Sequence, residues 1–341
     1  MTNLLPDPRP LRRGVTRRTA LWHAAALAAM APVAARAQAA EWTARTVRLV
    51  VPYPPGSGPD ALAREIAEQA NQQGGRVFVV ENKPGANGIL GTEIVARAAG
   101  DGATLLLLDP LALIANPYVY KSVPYNWRRD LRPVTALADV DLFLFSSAKR
   151  PFASLQDVVA FARANPGTLN FGTTGNASVE HLSLERLKAH AGVSVERIPY
   201  GGGMPQLVPA LLAGELDLVV FGPLPFVGHV RQGTVRALAV GSARRSAVFP
   251  NVPTLAEAGF PPDLFVGTTF TLFAPGSASD RLVGEVSTLV SGIVGSDRFR
   301  NKFAERGLSA RAEPADAVAR KLEASDARLG PMIKAMNLTL V

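Results

Sequence analysis

The chain has 341 residues, 48% hydrophobic and 19% charged, which marks it as globular and excludes a disordered chain. That length exceeds the roughly 250–300 residues at which single cores stop growing, so two domains are expected. With no cysteine and four histidines, disulfides, iron–sulfur clusters, thiolate zinc sites and a cysteine nucleophile are excluded.

The formal charge is +8, but much of it sits at the N-terminus. Arg9, Arg12, Arg13, Arg17 and Arg18 stand against one acid, Asp7. An Ala- and Leu-rich run from Thr19 to Ala35 follows, ending in the small-x-small pattern Ala35-Arg36-Ala37. Residues 1–37 therefore read as an export signal, and Thr16–Leu21 resembles a twin-arginine signal. A membrane anchor is the alternative, weakened by the short run, Pro32 and His23. Cleavage after Ala37 removes six Arg and one Asp and lowers the charge from +8 to +3. No Lys/Arg block remains, so nucleic acid is not an expected partner.

From Thr46 onward, strands alternate with helices. Val47–Val51 reads as a strand, Pro52–Pro59 as a turn and Asp60–Gln73 as a helix. Val77–Val80 is the next strand, followed by the Pro84–Gly88 loop, a helix over Ile89–Ala98 and a strand over Thr104–Leu108. The Asn116–Tyr120 and Tyr125–Trp127 stretches read as surface packing against the first lobe. Leu155–Ala164 is a helix stopped by Asn165-Pro166-Gly167. The strands Leu169–Gly172, Val195–Ile198, Leu216–Phe221 and Val235–Val240 follow. Between them fall helices from Val179, over Pro205–Ala213 and over Phe226–Gln232. Continuous apolar strands suit a parallel sheet covered on both faces, so the class is α/β. Extended runs at Val134–Ser146 and Val266–Ala274 read as two crossings between lobes. The tail from Arg281 to Met336 reads as helical, with breaks near Ser296 and Pro314, packed on the first lobe.

Two loops occupy equivalent places, each between a strand end and a helix start: Pro54–Pro59 and Thr173–Ser178. Helix starts expose unpaired N–H groups and about half a positive charge. Ser57, Gly58, Thr173, Thr174, Asn176 and Ser178 add small or hydroxyl-bearing groups. Facing each other, the two loops would clamp an anion without an arginine. Ordinary capping explains either loop taken singly. Asp60 fits a first-turn acid complementing the dipole, or a partner for a ligand ammonium or hydroxyl. Tyr53, Asn87 and Tyr200 are candidate walls of the ligand site, and half-buried packing is the plainer reading for the tyrosines.

Two enzyme readings are weighed. Ser178 and His181 suggest a hydrolase pair, but there is no Gly-x-Ser-x-Gly elbow and no acid to orient the histidine. His181 then serves as a ligand hydrogen-bonder or a packed side chain. His181, His190 and His229 lack metal-ligand spacing. Gly56–Ala61 fits G-x-G-x-x-G/A after a strand, with Glu81 about twenty residues on, as in dinucleotide-binding folds. Pro54, Pro55 and Pro59 lack the N–H groups that a pyrophosphate would use.

Several ordered segments carry a family resemblance: Val50–Asp60 (VVPYPPGSGPD), Glu81–Gly88 (ENKPGANG), Asp101–Leu106 (DGATLL) and Asn165–Asn170 (NPGTLN). Phe171–His181 (FGTTGNASVEH), Ile198–Gly203 (IPYGGG), Gly233–Ser242 (GTVRALAVGS) and Pro250–Gly259 (PNVPTLAEAG) extend it. From about Thr46 to the C-terminus the chain resembles the extracytoplasmic receptors of tripartite tricarboxylate transporters, the Bug family. The resemblance implies a two-lobed periplasmic binding protein of type II, a Venus flytrap with two crossover strands. Lobe 1 would be 41–140 with 268–341, and lobe 2 would be 141–267. It implies a monomeric, exported, non-enzymatic receptor without cofactor or metal. Such a receptor captures a small organic carboxylate and delivers it to the permease subunits. In the family the carboxylate is gripped by the loops that correspond to Tyr53–Asp60 and Thr173–His181. The Asn87 and Tyr200 loops would border the far end.

Some positions depart from the family pattern. Gly56-Ser57 stands for a Gly-Gly pair, and Pro59 for Ser or Thr. Gly201 replaces a common Lys or Arg, and Gly222-Pro223 replaces Asp-Ser. These changes predict a less polar far end, suited to an aromatic or aliphatic monocarboxylate more than to citrate. A sensor accessory using the same cleft and an exported dinucleotide enzyme are the alternative functions.

Overall fold

The computed structural model describes residues 42–200, 203–265 and 267–336. The expected export segment 1–37, Gly201 and Gly202 of the Tyr200 loop, and Val266 of the second crossing lie outside them.

Two sheets organise the fold. The first has the order β2-β1-β3-β10-β4-β11. Its strands are β1 (Thr46–Val51), β2 (Val77–Asn82), β3 (Thr104–Leu108), β4 (Leu131–Val140), β10 (Thr268–Pro275) and β11 (Leu308–Ala310). The second has the order β7-β6-β8-β5-β9. It comprises β5 (Phe143–Ser147), β6 (Asn170–Thr173), β7 (Glu196–Pro199), β8 (Leu218–Phe221) and β9 (Val235–Val240). Each sheet thus has three parallel strands followed by one antiparallel strand that arrives from the other sheet. The chain passes between the sheets through Asp141 and Leu142, and again through residues 241–267. The fold is α/β and two-lobed.

Burial explains the strand sequences. All five residues of β3 are buried, because helices cover both faces of this central strand. The edge strand β2 instead leaves Val77 and Val79 exposed. Helices flank the first sheet: α1 (Gly58–Gln73), α2 (Ile89–Ala96), α3 (Pro110–Val119) and α4 (Trp127–Asp130). From the C-terminal tail come α9 (Asp280–Val294), α10 (Asp297–Ala304) and α11 (Ala315–Ala335). Helices α5 (Leu155–Ala164), α6 (Val179–Ala191), α7 (Met204–Ala213) and α8 (Val227–Arg231) belong to the second sheet. Leu62, Ile66 and Ala70 of α1 pack with Val286 and Val290 of α9 on one face of the first sheet. Leu113 of α3 and Leu322 and Leu329 of α11 cover the other. The tail therefore packs on the first lobe, as its pattern predicts. None of the described helices is long and apolar enough to cross a membrane.

Two expectations need correction. The Asn116–Tyr120 and Tyr125–Trp127 stretches are surface packing only in part: Tyr118 is exposed, but Asn116 is fully buried within α3, and Tyr125 and Trp127 join the core. Asp109 caps this helix and Pro110 opens it, so the apolar run after β3 turns inward as a helix. The tail is also not wholly helical, since Leu308–Ala310 forms β11 against β4.

Candidate functional site

The β1–α1 loop is a tight, proline-rich turn. Gly56 takes φ 81°, a conformation that favours glycine, and the Ser57 N–H donates to the Pro54 carbonyl at 3.3 Å. Asp60 is buried and holds this turn. Its Oδ2 accepts Gly56 N at 2.8 Å and Arg64 Nε at 2.9 Å, and its Oδ1 accepts Asn82 Nδ2 at 2.9 Å. Burial pushes this carboxyl up, but the bonds from Arg64, Gly56 and Asn82 outweigh it and hold its pKa below the usual aspartate value. The Asp60 carboxylate is thus committed to the loop itself, which favours the structural reading of this residue.

Ser57 stands before α1 but makes no capping bond. Its Oγ is buried and has no hydrogen-bond partner among the described residues. An atom built as Cβ on Gly58 would meet nothing within 4 Å. The start of α1 therefore carries one buried, unpaired hydroxyl next to a glycine with space beside it, and a buried polar group without a partner is the exception in folded proteins.

Tyr53 is half-buried, edge-to-face with Phe270, and its hydroxyl accepts Asp109 N at 3.1 Å. Burial, then the charges of Asp109 and Glu180, raise its pKa far above the ordinary tyrosine value. Asp109 caps α3: Oδ1 accepts Leu111 N at 3.0 Å and Oδ2 accepts Thr268 Oγ1 at 2.5 Å. Burial drives the Asp109 pKa up to about 6 against the pull of the Thr268 and Leu111 bonds, and Glu180 adds to the rise.

Asn87 adopts φ 51° in the turn before α2. Its Nδ2 donates to Asn116 Oδ1 at 2.7 Å, while Asn116 Nδ2 donates to Asn87 O at 3.2 Å and Tyr125 Oη at 3.2 Å. The buried Asn116 fixes Asn87 in this left-handed conformation. A Cβ built on the adjoining Gly88 would approach Pro52 at 3.7 Å, so this turn lies against the β1–α1 loop.

The β6–α6 loop is closed by its own bonds. Thr173 is buried, and its Oγ1 accepts Arg197 Nη1 at 3.4 Å. Thr174 donates to Glu180 Oε2 through Oγ1 at 2.8 Å and N at 3.4 Å. Ser178 caps α6, its Oγ accepting His181 N at 3.3 Å. Ala177 has φ 52° and donates its N–H to His181 Nδ1 at 3.1 Å. His181 is buried, and burial followed by the Arg197 and Lys188 charges pushes its pKa down to about 4. It is a neutral acceptor at pH 7, with the proton on Nε2 assigned from this bond. Asn176 is half-exposed at the tip of the loop. The half-buried Tyr200 is tied to β6 by its N–H, which donates to Thr173 O at 2.7 Å.

The structure brings the two loops together. Ala177 and Leu182 of the second lobe lie in the same core cluster as Leu108 and Leu111 of the first, with Tyr53 and Val179 packed against it. Of the candidates, Ser57, Gly58 and Asn176 present groups that the protein's own side-chain bonds do not take up, whereas the Thr173, Thr174, Ser178 and His181 side chains have internal partners. Sequence reasoning missed Asp109, Asn116, Glu180 and Arg197. Asp109-Pro110 directly follows an apolar strand, a third strand-to-helix junction that the same rule could have found. A cavity of about 430 Å³ adjoins Asp109 between α3, β10 and α11, and includes Lys321 and Arg328 in its lining.

Residues 62–338 match the family model described as tripartite tricarboxylate transporter family receptor. The chain belongs to this receptor family. Protein BugT of Bordetella pertussis (strain Tohama I) is 34% identical over 282 residues, covering 82% of this chain and 86% of that protein. A protein in the gbd 5' region of Cupriavidus necator is 33% identical over 300 residues, covering 86% and 88%. Among solved structures, R. palustris Rpa4515 with adipate superimposes with TM-score 0.80 at 31% identity, covering 88% of this chain and all, 100%, of that one. MatC from Rhodopseudomonas palustris with bound malate gives 0.74 at 27% identity, covering 85% and 99%. The family member described here is a solute-binding receptor by descent and by fold.

Proposed function

We propose that this receptor captures a small organic carboxylate between its lobes and delivers it to the permease subunits of a tripartite tricarboxylate transporter. The lobes are 41–140 with 268–341, and 141–267, turning about Asp141–Leu142 and the segment before Thr268. Segment 1–37 directs export, and the receptor works as a periplasmic monomer. Capture needs no chemical step. Hinge closure brings the second lobe onto a ligand held by the first.

One observation carries this reading: Ser57 Oγ at the start of α1 is buried and unpaired in this conformation, next to Gly58, whose Cβ position is open, so a small rotation of the loop would present the hydroxyl to a ligand. A carboxylate oxygen would accept from that hydroxyl and gain from the positive end of the helix. The half-exposed Asn176 closes over it from the second lobe, and Asn87 and Tyr200 border the far end. In sequence, Gly201 and Gly222-Pro223 stand where the family commonly has a charged or polar residue, so an aliphatic or aromatic remainder suits this chain better than citrate. The adipate and malate held by the two structural neighbours support a carboxylate.

A thermal-shift panel of carboxylates, with NAD and sugars as controls, tests this. A ligand at a hundred times its dissociation constant adds about 2.7 kcal/mol. Stabilisation by one class of acid is expected. Stabilisation by NAD alone would sink the receptor reading.

A further inference from the structure

Two buried acids stand at the carboxylate loops, one from each lobe. Glu180 is 4% exposed and turns back onto its own loop, where it accepts from Thr174 Oγ1 and N. A protein carboxylate thus already occupies donors of the β6–α6 loop. Asp109 is 9% exposed, caps α3, and donates its N–H to Tyr53 in the β1–α1 loop. Among the described residues no cation pairs with either acid. The charges of both reach Tyr53.

Resting on the carboxylate-receptor reading, we infer that Asp109 and Glu180 are specificity-determining residues that restrict the ligand to a single carboxylate. Glu180 takes donors that a second carboxylate would need at the start of α6. Asp109 adds a like charge from the opposite lobe. A dicarboxylate would bring its second charge to loops where two buried acids have no ion-pair partner among the described residues, Arg197 being committed to Thr173. Like charges brought together in such a setting are strongly unfavourable. A monocarboxylate held at Ser57, with an uncharged remainder, avoids that repulsion. The diacids held by Rpa4515 and MatC therefore do not forecast the ligand of this chain.

Calorimetric titration of the full chain with matched pairs tests the inference: butyrate against succinate, hexanoate against adipate, and benzoate against terephthalate. The monoacid should bind at least about tenfold tighter in every pair that binds. Glu180→Gln and Asp109→Asn, each first shown to melt cooperatively, should bring that ratio within about threefold. A diacid preferred by the parent protein, or a ratio unmoved in both variants, overturns the inference and leaves the receptor reading standing. No binding by any acid overturns both.

Discussion

At the scale of single residues, the decisive contrast is between hydroxyls that are spent and one that is not. Ser178 caps α6, so Ser178→Ala should cost about 1 kcal/mol of stability, read by denaturant melts. Ser57 caps nothing, so Ser57→Ala should leave stability unchanged while weakening ligand binding by about 0.5–1.5 kcal/mol. A Ser57→Ala protein with parental affinity would place the ligand elsewhere. Gly58→Val should abolish binding with the fold kept, because a Cβ built there meets no atom within 4 Å beyond its chain neighbours and its own helix backbone. Asp109 and His181 give opposite pH signatures. Between 3.8 and about 6 the folded chain keeps the Asp109 proton that the unfolded chain releases, so stability falls as pH rises. Between about 4 and 6.5 the unfolded chain protonates His181 and the folded one does not, so stability rises with pH. Asp109→Asn removes the falling limb. Its stability relative to the parent should rise, by on the order of 2 kcal/mol, from pH 4 to 6.5. A constant difference across that range would mean that Asp109 titrates normally.

At the scale of elements, the strands and both strand-to-helix loops were legible because apolar runs ending in Gly, Pro and Ser mark such junctions. The partners of the loop side chains were not legible. Whether Thr174 is free depends on Glu180 folding back six residues later, and Asn87 is fixed by Asn116 from another helix. The burial of Tyr125 and Trp127 was missed because a short aromatic stretch has no periodicity to reveal its inner face. β11 was missed because three residues are too few for a strand pattern. The α1–α10 contact is another tertiary fact: the buried Glu65 meets Arg298 at 2.8 Å, and also Lys302. Burial raises its pKa, but Lys302, Gln69 and Arg298 outweigh this and hold it below the usual glutamate value. Glu65→Ala should cost about 2–3 kcal/mol, toward the low end for a broken pair, because both cations are half-exposed and regain water. A loss below the error of a urea melt would show that the cluster contributes nothing.

At the scale of the whole molecule, the two lobes meet at points that closure must respect. Gly307, between α10 and β11, takes φ 71°, and a Cβ built there would lie 2.0 Å from Pro223 Cγ across the lobe boundary. Gly307→Ala should hold the lobes apart, weakening ligand binding by at least about tenfold while each core still melts cooperatively. X-ray scattering should show a smaller contraction on ligand addition than in the parent, and an equal contraction would contradict this. The pair Arg328–Asp263 also crosses between the lobes at 3.6 Å, with both side chains half-exposed. It should contribute less than about 1 kcal/mol to closure and fade with salt. The central claim is that the start of α1 holds a carboxylate between the lobes, with Asn176 of the β6–α6 loop closing over it. A crystal structure with the tightest-binding acid of the panel tests it most directly. The account predicts a carboxylate oxygen within hydrogen-bond distance of Ser57 Oγ, with Asn176 closing from the other lobe. Density for the acid in the cavity between α3 and α11, with Ser57 Oγ still unpaired, would contradict it.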